Sequence, residues 1–127
     1  LPLICYESIY GDINTGKYFD IITIITNDGW WKNTAGYKQH FSYSKLRAIE
    51  QKRAVVRCAN TGISGFINPL GEAGEIAKWD EKKVIKSQVA ICNTVTFYNQ
   101  FGDYLGRISS FISSIFILMI FVKSKVK

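Results

Sequence analysis

The chain has 127 residues, 47% hydrophobic and 20% charged, which excludes a disordered segment and fits one domain with a modest core. Its formal charge of +6 is unevenly placed: residues 1–103 carry 12 Lys and Arg against 10 Asp and Glu, and Arg107, Lys123, Lys125 and Lys127 supply the rest. The body is therefore nearly neutral. Without a basic stripe interleaved with aromatics, zinc-ligand spacing or a glycine-rich phosphate loop, the sequence argues against nucleic acid as a partner.

In chain order, residues 1–5 read as the end of an apolar strand, in which Leu3-Ile4 is followed at once by Cys5, Tyr6 and Glu7. A thiol where a strand breaks into a turn projects from the sheet edge, beside backbone N–H groups free to bind an oxyanion. Core packing is the competing reading of Cys5. Tyr6 to Asp20, with Gly11, Asp12, Asn14 and Gly16, reads as a helical turn or loop. Ile21 to Thr26 is a β-branched run of the kind found in strands buried on both faces. Asn27-Asp28-Gly29 ends it in turn chemistry and delivers Trp30 and Trp31. If the two strands are parallel neighbours, Cys5 and Asn27 share the edge where open α/β sheets place their sites.

Asn33 or Thr34 caps a helix running to about Arg53, whose apolar Tyr37, Phe41, Leu46, Ala48 and Ile49 cover an arc broad enough to predict cover on more than one side. Ala54 to Ala59 reads as a strand. Gly62 to Asn68 and Glu75 to Trp79 form a hairpin around Pro69–Gly74, and Val84 to Val95 contains a last strand in which Val89 and Ile91 alternate with smaller residues. Cys58 and Cys92, both after apolar runs, read as buried thiols acting as small hydrophobes, with a bridge between them as the alternative. His40, the sole histidine, lies within the helix and reads as structural, and Asn27, Asp28 and Asn60 as turn and loop organisers.

Tyr104 to Val122 carries one charge, Arg107, and is long enough to cross the ~30 Å hydrocarbon core of a bilayer. Lys123, Lys125 and Lys127 follow it, so the positive-inside rule places the tail in the cytoplasm and the body on the outer face. The chain begins without methionine and in mid-pattern, which predicts further sequence upstream.

Four ordered blocks carry a resemblance: Pro2-Leu3-Ile4-Cys5-Tyr6-Glu7; Thr26-Asn27-Asp28-Gly29-Trp30-Trp31; Gln39-His40-Phe41 with Arg47-Ala48-Ile49-Glu50; and Arg57-Cys58-Ala59-Asn60-Thr61-Gly62-Ile63-Ser64. Asn68-Pro69-Leu70-Gly71 and the set Thr96, Tyr98, Gly102 and Asp103 before the apolar helix extend it. Together they resemble the nitrilase (carbon–nitrogen hydrolase) superfamily and, within it, the apolipoprotein N-acyltransferases. The resemblance implies an α/β fold: the C-terminal part of an α-β-β-α sandwich over residues 1–102, a transmembrane helix over 103–123 and a basic cytoplasmic tail over 124–127.

It implies an inner-membrane enzyme with its catalytic body on the periplasmic face. Such an enzyme moves an acyl chain from a phospholipid donor, through a thioester on Cys5, to the α-amino group of a diacylglyceryl apolipoprotein. No cofactor or metal is implied. A glutamate base and a lysine are expected upstream, so this chain alone is expected to be inactive. Glu7 would organise the site, with capping of the following turn as its plainer reading. Tyr6 would lie near the acyl chain and offer its N–H to the oxyanion. Trp30 would stand beside the site or, with Trp31, anchor at the membrane interface. A nitrilase-like amidase of small C–N bonds and a non-catalytic membrane-tethered remnant are the alternatives.

Overall fold

The computed structural model describes residues 1–125, with the side chains of residues 124 and 125 left aside. The basic tail assigned to 124–127 thus lies outside the described side chains. Five strands form one sheet in the order β1 (Pro2–Ile4), β2 (Ile21–Thr26), β3 (Ala54–Ala59), β4 (Ser64–Ile67) and β5 (Ala73–Ala77). β1, β2 and β3 are parallel, and β4 and β5 continue the sheet antiparallel. This is the expected mixed α/β sheet, with the strand run at Ile21 as predicted. The second hairpin strand runs from Ala73 to Ala77 rather than Glu75 to Trp79, because Asn68 Oδ1 accepts the Leu70 and Glu72 N–H groups and closes the turn by Glu72.

The crossover from β2 to β3 is the helix α1 (Ala35–Gln51). Thr34 caps its first turn by accepting the Gly36 N–H, and it ends at Lys52, whose left-handed φ of 51° lets its N–H return to the Ala48 and Ile49 carbonyls. α1 covers one face of the sheet, where Leu3, Ile22, Ile24, Val55 and Ile67 pack against Phe41 and Ala48. Burying each large aliphatic here contributes roughly 1.5–3 kcal/mol over leaving it in water.

The expectation that α1 is covered on more than one side does not hold. Its buried stripe is Tyr37, His40, Phe41, Ser44, Arg47, Ala48 and Gln51, while Leu46 and Ile49 are exposed. The buried polar residues find partners at inner positions: His40 and Ser44 in the network around Asp28, Arg47 through the Ile9 carbonyl and Glu50, and Gln51 through Asn99. Arg47 Nε and Gln51 Nε2 stay unpaired among the described residues. β2 is likewise buried on one face only: Ile22, Ile24 and Thr26 point at α1, and Ile25 on the other face is 64% exposed. Ile4 beside it is 67% exposed. Cys58, on the same open face, is exposed rather than buried, and Cys92 is half-buried; both are free thiols.

No strand forms between Val84 and Val95. Residues 81–96 have no regular secondary structure, and Val84 is 96% exposed. Alternating side chains make a strand only where the backbone finds a ladder partner, and this stretch is held by other means. Arg53 Nη1 donates to the Thr94 carbonyl at 2.8 Å, and residues 87–90 line, with parts of β4 and β5, a cavity of about 240 Å³.

The chain then turns through α2 (Phe97–Phe101), capped by Thr96, and Gly102, whose φ of +64° suits glycine, into α3 (Tyr104–Lys125). From Tyr104 to Lys123 α3 has a mean hydropathy of 2.0 and no part of it is buried, so it is long and apolar enough to cross a membrane.

Candidate active site

The parallel strands β1, β2 and β3 all end on one side, and the residues following them are Cys5, Asn27 with Asp28, and Asn60. Cys5 opens a short 3-10 turn, Cys5–Ile9, with a φ of +51°. A non-glycine residue in the left-handed region costs about 1–2 kcal/mol, so the surrounding contacts must hold it there. Two contacts do so. Glu7 Oε2 accepts the Ile4 N–H at 2.7 Å, and the Ser8 hydroxyl lies 2.8 Å from the Cys5 carbonyl oxygen. Glu7 therefore turns back onto the strand end and caps the bend, as its plainer reading expects.

The β1–β2 register pairs Ile4 with Ile25, and its next step sets Cys5 beside Thr26. Thr26 Oγ1 is 3.3 Å from Cys5 Sγ and 2.9 Å from Asp28 Oδ1. Asp28 is fully buried beneath them: Arg57 Nη2 donates to its Oδ2 at 2.8 Å, and His40 Nδ1 lies 2.9 Å from its Oδ1. Arg57 is also buried, its Nη1 donating to Ser44 Oγ at 2.9 Å and its Nε to the Ile63 carbonyl at 3.2 Å. His40 Nε2 is 2.9 Å from Ser8 Oγ, which closes a loop back to Cys5. Buried polar groups are tolerated only when paired, and here the turns after β1 and β2, the end of β2, α1 and β3 supply the pairs.

The proton inventory constrains this network. Nδ1 of His40 donates to the Asp28 carboxylate, so the Arg57 nitrogen 3.1 Å from Nδ1 does not also donate there. Ser8 has one hydroxyl proton: it serves the Cys5 carbonyl beside a doubly protonated His40, or Nε2 of a neutral one. Burial by itself pushes the Asp28 carboxyl up. The hydrogen bond with His40, the Arg57 charge and the Thr26 hydroxyl outweigh burial and hold Asp28 below its ordinary value. Burial lowers Arg57 from its ordinary value, opposed by Asp28 and by Cys5.

Tyr6, half exposed, stacks on Trp31 with ring centroids 6.2 Å apart, and Trp31 stands edge-on to His40 at 5.0 Å. Trp30 does not join them and is 82% exposed. Trp31, which the sequence offered only as a partner of Trp30 at a membrane interface, is the tryptophan packed against Tyr6 and His40. Asn27 caps its turn by accepting the Gly29 N–H, as turn chemistry predicts. Asp28 and His40 do more than organise a turn or fill a helix, and Thr26, Ser8 and Arg57 were missed. The sequence signals for Arg57 were a charge in the middle of an apolar strand and its place in the fourth block of the resemblance, neither of which pointed to a role. Among the described residues no group of three or more His, Cys, Asp or Glu side chains is placed to hold a metal ion.

A bent thiol at the end of a parallel strand, backed by a buried carboxylate network, is an arrangement suited to nucleophilic catalysis, and sequence comparison names its class. The chain belongs to the carbon–nitrogen hydrolase family, whose model matches residues 2–97. Its relatives include the apolipoprotein N-acyltransferase of Chlorobaculum tepidum, 34% identical over 97% of this chain and 24% of that protein, and that of Rickettsia prowazekii, 34% identical over 94% and 24%. The enzyme of that name from Wigglesworthia glossinidia brevipalpis is 33% identical over 98% of this chain and 25% of its own length. The chain thus spans about a quarter of the length of the curated relatives it matches.

Proposed function

We propose that this chain carries the nucleophile of an apolipoprotein N-acyltransferase and that Cys5 is that nucleophile. The observation that carries the reading is Cys5 itself, held at φ +51° at the carboxyl end of β1 in a chain that, over nearly its whole length, matches relatives of that name. Cys5 Sγ attacks the ester carbonyl of a phospholipid. The C–O bond breaks, the lysophospholipid leaves with the proton, and a thioester remains. The α-amino group of a diacylglyceryl apolipoprotein then attacks the thioester, forming the amide and returning the thiol. Each step is easier than direct transfer, because a thiolate is a good nucleophile and a thioester a good acyl donor to an amine.

Glu7 fixes the bend that presents the sulfur, and Tyr6 contributes its N–H, in the first turn where N–H groups have no helical partner, to the oxyanion. Tyr6 and Trp30 contact substrate, with Trp30 free to meet an acyl chain or the membrane surface. A glutamate base and a lysine come from sequence upstream, which makes the 127 residues alone inactive. The catalytic portion is residues 1–102, on the outer face of the inner membrane. Residues 103–123 cross the membrane, and 124–127 lie in the cytoplasm.

The test is acyl-enzyme trapping in the full-length protein. Incubation with phospholipid is expected to add one hydroxylamine-labile acyl group to the peptide containing Cys5, and Cys5→Ser to abolish both this adduct and lipopeptide N-acylation. N-acylation that survives Cys5→Ser sinks the assignment. Release of ammonia from small amides without acyl transfer would point to an amidase instead.

A further inference from the structure

We propose that Thr26 is a positioning residue for the reactive sulfur: its hydroxyl is the hydrogen-bond partner of Cys5, and Asp28, locked by Arg57 and His40, holds that hydroxyl in place. The inference rests on the reading of Cys5 as the nucleophile and adds a second strand to the site.

Three observations carry it. Parallel register brings the two residues side by side, with Thr26 Oγ1 3.3 Å from Cys5 Sγ, within range for a sulfur hydrogen bond. Thr26 is buried, so its hydroxyl turns between the sulfur and Asp28 without water competing for it. Asp28, in turn, is fixed through both carboxylate oxygens by side chains from α1 and β3.

The single Thr26 proton then has two settings. While Cys5 is a thiol, Thr26 donates to Asp28 and its oxygen accepts the S–H. Once the thiol proton has passed to the upstream glutamate base, or to water in the absence of substrate, the hydroxyl swings to donate to the sulfur anion. Asp28 does not take that proton, because the groups around it keep it ionised as a weak base. Among the described residues the charged and titratable groups on the elements packed around the sulfur are Tyr6 and Glu7 on its own turn, Asp28 after β2, His40 on α1 and Arg57 on β3, to which the full-length protein would add the proposed upstream glutamate and lysine. Thr26 is the uncharged group that can follow the change of charge by rotating one bond.

The experiment measures alkylation of Cys5 by iodoacetamide against pH in the full-length protein, read at the Cys5 peptide by mass spectrometry so that Cys58 and Cys92 do not contribute. Thr26→Val removes the hydroxyl at nearly constant volume. It is expected to move the midpoint up by about one pH unit, a roughly tenfold loss of thiolate at neutral pH. Thr26→Ser is expected to restore the wild-type midpoint. An unchanged midpoint in Thr26→Val, or a shift in Thr26→Ser as large as that in Thr26→Val, overturns the proposal.

A second reading needs no change at Thr26. The Cys5 S–H stretch, taken as the Raman difference between wild type and Cys5→Ser, is expected at the lowered frequency of a hydrogen-bonded thiol. A stretch at the free-thiol frequency overturns the proposal. Alkylation needs neither acyl donor nor acceptor, so these outcomes stay separate from failure of the acyltransferase assignment.

Discussion

Asp28 and Arg57 pair at 2.8 Å with neither side chain reached by solvent, and they come from a loop and a strand 29 residues apart. Removing one member of such a pair leaves the other charged and buried, at a cost of about 3–5 kcal/mol. Asp28→Ala and Arg57→Ala are each expected to destabilise the full-length protein by that order. The double variant is expected to lose clearly less than the sum, because no lone charge remains. Denaturant melts of the three variants check this; additive losses would show that the two residues act independently.

Acid should weaken the same network. The Asp28 carboxyl titrates below its ordinary 3.8, so its contribution to stability is fully present above that value and is lost as pH falls through the folded-state value. Wild-type stability is therefore expected to drop on acidification below about pH 4, more steeply than that of Asp28→Asn. Thermal melts across the range read the difference in slope.

Gly62 shows how tightly Asp28 is enclosed. A Cβ added there would stand 2.7 Å from Asp28 Cβ and Cγ, closer than packed carbons approach. Gly62→Ala is expected to destabilise by about 1–3 kcal/mol and to slow Cys5 alkylation, since the loop or the carboxylate must move. A melting temperature and alkylation rate equal to wild type would show that the loop yields freely.

The open sheet face with Ile4, Ile25 and Cys58 makes Cys58 a reporter. In the isolated 127-residue chain Cys58 is expected to react with thiol reagents and the apolar face to bind a hydrophobic dye. In the full-length protein, where the α-β-β-α sandwich would lay a second sheet over this face, Cys58 is expected to be shielded. Equal labelling in both would argue against that second layer.

The strands and α1 were legible because β-branched runs, turn residues and a capping threonine act locally. The inner face of α1 was not, since His40, Ser44, Arg47 and Gln51 look like solvent-facing residues until their long-range partners are known. Val89 and Ile91 failed in the opposite sense: their alternation is local, but a strand needs a neighbour. Cys5 was legible as a thiol at a strand end. Its pairing with Thr26 required the register of β1 against β2, and the packing of Trp31 against Tyr6 and His40 required knowing which way a 3-10 turn faces.

Asn99, in α2, donates its side-chain amide to Gln51 Oε1 at 2.6 Å and lies 3.3 Å from both the Asn14 and the Lys17 carbonyl, while its backbone carbonyl accepts the Gly16 N–H. Just past Gly102 the Asp103 N–H donates to Asp12, and Arg107 reaches back to the Phe101 carbonyl. These bonds make α3 a bracketed stalk rather than a tether. A tethered domain would sample many tilts, and its nucleophile would meet lipid over a range of depths. On the proposed reading, a bracketed one would hold one bearing between the apolar helix and the end of the sheet that carries Cys5, and the depth at which an acyl chain is met would become a property of the fold.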